Sequence, residues 1–302
     1  MVWTPNQMPS LAGRTAIVTG ANGGIGFHTA KHLASQGAHV VMGCRNMSKA
    51  QQALEKLLAK HPTANAEVVH LDLEHLDKVN SFCDDFEAKH DRLDIIINNA
   101  GVLSPSHATN QQGHEVQFAI NHLGHFALTG RLIPLLNESP NGRIVTVSSI
   151  AHRWGRIRFH DLQWEEHYNM WGAYGQSKLA NLLFTFELER RLRSAGCSSS
   201  ALAAHPGLTA TDITRESSWM HKATPLVGQS ADVGSWPSVR AATDLNVQGG
   251  TFWGPRWCFQ TWGAPKRVGC SRTARDSATA SRLWDVSEAL TGVRFQFHQA
   301  TP

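Results

Sequence analysis

Residues 19–26 of this 302-residue chain read Thr19-Gly20-Ala21-Asn22-Gly23-Gly24-Ile25-Gly26, and they lie between a short apolar run and a segment of helical period. That context constrains the fold more than any other feature. In a strand-to-helix turn Gly20 permits the tight reversal, and Gly24 and Gly26 let backbone and ligand approach while the helix amino end faces phosphate charge. Ile25, Thr29, Ala30 and Leu33 recur at helical spacing, and Gly37 is placed to stop that helix. Without the strand and helix, three glycines would mark only a turn that needs a flexible backbone.

Five apolar runs, at 15–19, 40–42, 68–71, 93–97 and 144–147, read as buried parallel strands. Each of the first four is followed by enough chain for a crossover helix. The pattern predicts an α/β fold of Rossmann type, a doubly wound parallel sheet flanked by helices. At this length a single domain suffices, and 41% hydrophobic residues supply its core. A long amphipathic helix is expected over 172–193, with Leu179, Leu182, Leu183, Phe186 and Leu188 on its apolar side. Residues 200–205 follow as a sixth strand, weakened by serine and alanine.

Residues 11–213 therefore form the cofactor-binding and catalytic core. Residues 214–302 form a substrate-covering region with helices at 232–243 and 278–291 and a last strand near 251–253. Six tryptophans, Trp219, Trp236, Trp253, Trp257, Trp262 and Trp284, fall in that region among glycines and prolines. Trp219, Met220, Leu226 and Trp236 either line an apolar pocket or serve as ordinary core.

Several classes are disfavoured. The net charge of +4, from 28 basic and 24 acidic side chains, is scattered, so no nucleic-acid partner is expected. Cys44, Cys83, Cys197, Cys258 and Cys270 are widely spaced with no C-x-x-C pair, which predicts reduced thiols in a cytosol, not a disulfide framework or zinc site. His152, His160 and His167 are interleaved with Arg153, Arg156 and Arg158 at no ligand spacing, so they read as a loop bordering a substrate mouth, and no metal is expected. The first 13 residues carry no targeting pattern, and no run of 18 apolar residues occurs, which predicts a soluble, cytoplasmic protein without a transmembrane segment.

Candidate chemistry clusters at the strand ends. After the second strand the chain reads Gly43-Cys44-Arg45-Asn46, with no carboxylate where an NAD site would place one and with a guanidinium able to pair a ribose phosphate. NADP(H) is favoured and NAD(H) remains possible; the plainer reading is a solvated arginine. Asp72-Leu73 is placed to reach the adenine, or to cap a helix, and Asn98-Asn99-Ala100-Gly101 to border the ribose, or to make a turn. Tyr174 and Lys178, four apart on one helix, share a face, so an ammonium can favour the ionised phenol. Pro206-Gly207 would end the sixth strand near the nicotinamide amide, with Thr209 or Thr211 contacting amide or phosphate. The expected cofactor contacts are thus Gly20, Asn22, Gly23, Gly24, Ile25, Gly26, Arg45, Asn46, Asp72, Leu73, Asn99, Ala100, Gly101, Tyr174, Lys178, Pro206, Gly207, Thr209 and Thr211.

From about residue 11 to 297 the chain resembles the short-chain dehydrogenase/reductase family. The matches are T-G-x-x-x-G-x-G at 19–26, N-N-A-G at 98–101, Asn121, Ser149, Y-x-x-x-K at 174–178 and P-G-x-x-x-T at 206–211. It is most similar to the retinol dehydrogenase-like branch and its soluble bacterial relatives, through Cys44-Arg45-Asn46, Ser148-Ser149-Ile150-Ala151-His152, Tyr174-Gly175-Gln176-Ser177-Lys178-Leu179-Ala180-Asn181 and Gly249-Gly250-Thr251-Phe252-Trp253-Gly254-Pro255. The 25-residue interval from Ser149 to Tyr174 resembles this branch too, although its membrane-bound members begin with an apolar anchor not found here.

The resemblance implies that Tyr174 exchanges a proton with the substrate oxygen while hydride passes between that carbon and C4 of the nicotinamide. It further implies that Lys178 lowers the tyrosine pKa and holds the nicotinamide ribose, Ser149 hydrogen-bonds the carbonyl or alkoxide, and Asn121 holds a relay water. Ser149 is taken over Ser148 by alignment to the family, and strand alternation agrees. The implied partners are a small lipophilic alcohol, aldehyde or ketone and a second copy of the chain, paired through the helices bearing Asn121 and Tyr174. A non-catalytic NADP-binding regulator or scaffold is the alternative, though it has no need of the tyrosine-lysine pair. A lyase or epimerase using transient oxidation fits less well, because no sugar-nucleotide motif is present.

Overall fold

Ile17 and its neighbours Ala16 and Val18 belong to two different cores, one on each side of the same strand. Successive side chains on a strand point to opposite faces, so a strand apolar at every position must be covered on both. Ile96 against Ile95 and Ile97 repeats the pattern. The computed structural model describes residues 2–209 and 228–297. Its eight strands are β1 (Thr15–Thr19), β2 (His39–Cys44), β3 (Ala66–His70), β4 (Ile95–Asn98), β5 (Arg143–Val147), β6 (Ser200–Ala204), β7 (Phe252–Trp257) and β8 (Trp262–Arg267). They form one sheet in the order β3-β2-β1-β4-β5-β6-β7-β8. The first seven are parallel, and β8 runs antiparallel to β7.

Seven longer helices cover the sheet among the described residues: α1 (Gly24–Ser35), α2 (Met47–Lys60), α3 (Leu76–Glu87), α4 (Gly124–Asn137), α5 (Met170–Ser194), α6 (Ala231–Thr243) and α7 (Ser277–Thr291). Leu33 of α1, Leu57 of α2 and Ala241 of α6 pack on one face. Phe82 of α3, Leu132 of α4 and Leu188 of α5 pack on the other, with Trp284 of α7 joining them. The fold is the single doubly wound domain that the strand-helix alternation predicts. Among the described residues no helix is long and apolar enough to cross a membrane.

Winding reverses at the centre: the chain leaves β1 for β2 and β3 on one side, then returns to β4 on the other. Such a switch point opens a crevice at the carboxyl ends of the strands. The residues before α4 form a helical turn, Val116–Phe118, and then a π-helical segment, Ala119–Leu123, that contains Asn121.

One expectation for the carboxyl-terminal region is corrected. The last strand is longer than residues 251–253 and is followed by β8, which the sequence reading missed. Of the two readings open for Trp236, ordinary core is the one its contacts support: its ring packs with Trp3, Met8 and Val239, and its Nε1 donates to Asp232 at 3.3 Å. Trp253 and Trp284 are buried, whereas Trp257 and Trp262 are exposed on the β7–β8 hairpin. Trp219, Met220 and Leu226 lie outside the described residues.

Candidate active site and cofactor cleft

A cleft of about 510 Å³ opens at the switch point. It is lined by Gly20, Asn22, Gly23, Gly24, Ile25, Gly26, Arg45, Asn46, Asp72, Leu73, Asn99, Ala100 and Gly101 from the expected cofactor set. Backbone geometry explains the glycines. Gly20 has φ +66, in the left-handed region, and a Cβ there would stand 3.0 Å from Ala100 Cα. A Cβ on Gly26 would meet the Gly20 carbonyl oxygen at 2.3 Å. Gly23 is different, because a Cβ there would meet nothing within 4 Å.

Gly23 also precedes α1 without supplying a capping side chain. The other strand-following helix on this side, α2, is capped by Asn46, whose Oδ1 accepts from the Lys49 backbone N–H at 2.9 Å. The first-turn N–H groups of α1 thus face an open cleft with no side chain to satisfy them, which is the donor set an anion would take. These residues fit a dinucleotide pyrophosphate.

At the far end of the cleft Arg45 and Lys49 both contribute to its wall. Arg45 is 61% exposed, and its Nη1 donates to Glu74 at 3.2 Å, so a carboxylate does stand nearby, brought from the β3–α3 loop. Lys49 was not singled out in the sequence, since it joins Arg45 only when the first turn of α2 is wound. Asp72 is turned inward and accepts from the Glu74 backbone N–H at 3.1 Å.

The end of β4 is bolted to β1. Thr19 Oγ1 accepts from the backbone N–H of Asn99 and of Ala100, each at 2.9 Å, while Asn99 Nδ2 donates to the Thr19 carbonyl at 2.8 Å. His125 Nε2 lies 2.8 Å from the same hydroxyl and its Nδ1 lies 3.2 Å from the Asn121 carbonyl. Because Thr19 already accepts twice, it donates to Nε2, and Nδ1–H donates to Asn121. Burial holds the imidazole neutral, its pKa lowered to about 3. His125 thereby links the glycine turn to the catalytic candidates, a role no local sequence signal announces.

Asn121 uses its side chain on the backbone: Oδ1 accepts from Val102 N–H at 2.8 Å, and Nδ2 donates to the Val102 carbonyl and to Ser177 Oγ, both at 3.0 Å. Lys178 Nζ reaches the Val147 carbonyl at 3.4 Å. Both side chains border Gly101, where a Cβ would stand 3.1 Å from Lys178 Nζ and 3.3 Å from Asn121 Oδ1. A cleft-lining glycine therefore brings the two catalytic candidates to the cofactor wall.

Ser148 and Ser149 point different ways. The buried Ser148 donates to the Lys178 carbonyl at 2.7 Å. Ser149 is partly open, accepts from Ala151 N–H at 3.2 Å, and hydrogen-bonds the Tyr174 side chain. Lys178 Nζ lies 5.5 Å from the centre of the Tyr174 ring. Burial pushes the phenol up to about 12, with the Ser149 hydrogen bond opposing it, and brings Lys178 down to about 8.

The segment after β6 is only partly as expected. Gly207 has φ +73, and a Cβ there would collide with the Thr261 carbonyl at 2.4 Å. Pro206 accepts from Thr209 Oγ1 at 2.8 Å, and the buried Thr209 side chain packs on Gly234 of α6. Thr209 thus closes the turn after β6 against α6. Thr211 lies outside the described residues. His152, expected at a substrate mouth, is buried, with Nδ1 2.6 Å from the Ser149 carbonyl, so it supports the serine from behind.

Comparison with known proteins is consistent with this geometry. The family model described as short chain dehydrogenase matches residues 14–222. Mouse retinol dehydrogenase 12 is 40% identical over 291 residues, covering 95% of this chain and 89% of the relative. Human retinol dehydrogenase 11 is 38% identical over 288 residues, covering 94% and 87%. A crystal structure of an uncharacterized protein from Mycobacterium paratuberculosis superposes with a TM-score of 0.84 at 42% identity, covering 98% of this chain and 100% of that one. A chain described as an NAD(P) dependent gluconate 5-dehydrogenase from Beutenbergia cavernae, with NADP bound at low occupancy, gives a TM-score of 0.62 at 25% identity, covering 78% and 91%.

Proposed function

This chain belongs to the short-chain dehydrogenase family and is an NAD(P)-dependent oxidoreductase acting on CH–OH donors, and from that premise we propose that it prefers NADP(H) and interconverts a lipophilic alcohol with its aldehyde or ketone, Tyr174 serving as acid and base. One observation carries the reading: Lys178 and Asn121 both border Gly101 at the wall of the cleft, and the Tyr174 ring lies 5.5 Å from Lys178 Nζ with its side chain hydrogen-bonded to Ser149, so that residues of three separate segments converge there.

In the direction of reduction, the high pKa of Tyr174 keeps its hydroxyl protonated at neutral pH, ready to donate to a carbonyl oxygen. Ser149 orients that oxygen by hydrogen bonding. Lys178, still largely charged at pH 7, sits by the ring to stabilise the phenolate that donation leaves. Asn121 is held rigidly between Val102 and Ser177 and keeps the π-helical turn facing the site. The nicotinamide cofactor, when bound, supplies the hydride.

Support for NADP comes from Arg45 and Lys49, two cations at the cleft end where the adenosine ribose would lie, and from the NADP bound in the Beutenbergia neighbour. The substrate class rests on the retinol dehydrogenase relatives, since retinol is a long apolar alcohol.

The test is NADPH oxidation followed by absorbance with a series of aldehydes and ketones from short and polar to long and apolar. The expected result is turnover that favours apolar substrates and falls about 10²- to 10⁴-fold in Tyr174→Phe with NADPH binding retained. Turnover that survives the substitution overturns the mechanism. NADPH binding with no turnover across the series assigns the chain to a cofactor-binding regulator instead.

A further inference from the structure

We propose that His39, Glu67 and His90 form a binding site for a divalent transition-metal ion of the zinc class, at the end of the sheet opposite the cofactor cleft. The three residues share no local spacing, being separated by 28 and 23 positions along the chain. Topology brings them together: His39 opens β2, Glu67 is the second residue of the edge strand β3, and His90 follows α3 as that helix returns across the sheet. All three therefore lie at the amino-terminal edge of the parallel strands, whereas the glycine turn lies beyond their carboxyl ends.

The geometry is close to that of a metal's coordination sphere. Nε2 of His39 is 3.2 Å, and Nε2 of His90 3.1 Å, from one oxygen, Oε1 of Glu67. All three donor atoms lie within 4.8 Å of one another. Zinc bonds to imidazole nitrogen and carboxylate oxygen are about 2.0–2.2 Å, so tetrahedral ligands stand roughly 3.3–3.4 Å apart. Small rotations of side chains suffice to place an ion among the two imidazole nitrogens and the carboxylate oxygen.

Charge and surroundings favour a cation. Among the described residues no lysine or arginine pairs with Glu67; its ion-pair partners are the two imidazoles. Two neutral nitrogens and one carboxylate are a borderline-soft set, suited to zinc, cobalt or nickel and poor for magnesium or calcium. The side chains of His39, Glu67 and His90 are 22%, 37% and 15% exposed, which leaves a fourth position open to water. The two histidines are fixed through their backbones and, for His90, its ring. His39 N–H donates to the Arg14 carbonyl at 2.8 Å and His90 N–H to the Phe86 carbonyl at 2.9 Å, and the His90 ring rests on Phe86 at 4.5 Å between centres. Ligands carried on rigid elements are preorganised. A bound ion would tie edge strand β3 to β2 and to the end of α3.

The experiment uses tag-free protein freed of metal with a chelator, titrated with Zn²⁺ by calorimetry and with Co²⁺ by visible absorbance. Expected are one equivalent of Zn²⁺, the intense bands of tetrahedral Co²⁺, and a melting temperature that rises with added Zn²⁺. Glu67→Gln and, separately, His90→Gln should each weaken Zn²⁺ binding at least about tenfold and remove the cobalt bands, with NADPH affinity unchanged as proof that each variant is folded. His39→Gln serves in place of either variant that fails to bind NADPH. Absence of a stoichiometric site, or binding that is equal in parent and variants, overturns the proposal and assigns any metal uptake to other histidines or thiols.

Discussion

Tyr174 and Lys178 titrate on opposite sides of their ordinary values for one reason, removal from water. For the phenol the neutral acid is retained; for the lysine the charge is only about one pH unit from being lost at pH 7. If that charge supports proton donation, kcat/KM for carbonyl reduction should fall as pH rises through about 8, because deprotonation removes the cation beside the ring. In Lys178→Arg, whose guanidinium stays charged, the descending limb should move to higher pH; a limb that stays at 8 assigns it elsewhere. At the other end of the cleft, replacing both Arg45 and Lys49 by alanine should weaken NADPH about tenfold or more while NADH changes little, as fluorescence titration would show. Equal losses for both nucleotides would remove the preference from these cations. Arg45 was legible as a gap where a carboxylate belongs, but Glu74, its ion-pair partner, was not, since it arrives from another loop. Lys49 and His125 escaped for the same reason: the contacts that define them are made across the fold.

Elements differ in how openly the chain announces them. β1 matches the five residues read from the sequence, and the edges of β2 to β6 fall within two residues of those read; burial on both faces leaves an unbroken apolar signal in β1, β4 and β5, whereas edge strand β3 is only half-buried and β6 is built of serine and alanine. β8 gave none. Its Gly263 and Pro265 are poor strand formers, and Pro265 is tolerated because the strand lies at the edge of the sheet, with its far side unpaired. The glycine turn permits a contrast between two positions. Gly26→Ala forces a Cβ onto the Gly20 carbonyl and Asn99, so it should cost about 1–3 kcal/mol of stability and disturb the cleft. Gly23→Ala meets open space, so its melting temperature should hold while NADPH affinity drops, if that space belongs to the nucleotide. Thermal melts with and without NADPH separate the two, and a Gly23→Ala protein that binds NADPH normally would displace the pyrophosphate from the start of α1.

At the scale of the molecule, burial of neutral imidazoles sets a limit on acid tolerance. His122, His125 and His205 have pKa values lowered to about 3 by burial, against 6.5 when unfolded. Between those values the unfolded chain binds protons the folded chain refuses, so stability is full above about 6.5 and declines as pH falls towards 3. Three such groups together give up to about 4 kcal/mol per pH unit, comparable within two units to the whole stability of an ordinary domain. Urea midpoints should therefore drop steeply between pH 6 and 4, and a flat profile there would mean that these rings protonate in place. The winding order carries a last consequence. Thr19 and its partners Asn99 and Ala100 are some eighty residues apart, and the crevice between β1 and β4 is a seam between two separately wound halves. A nucleotide laid along it touches both, so it acts as a clasp: when it is bound, neither half can peel away without releasing it.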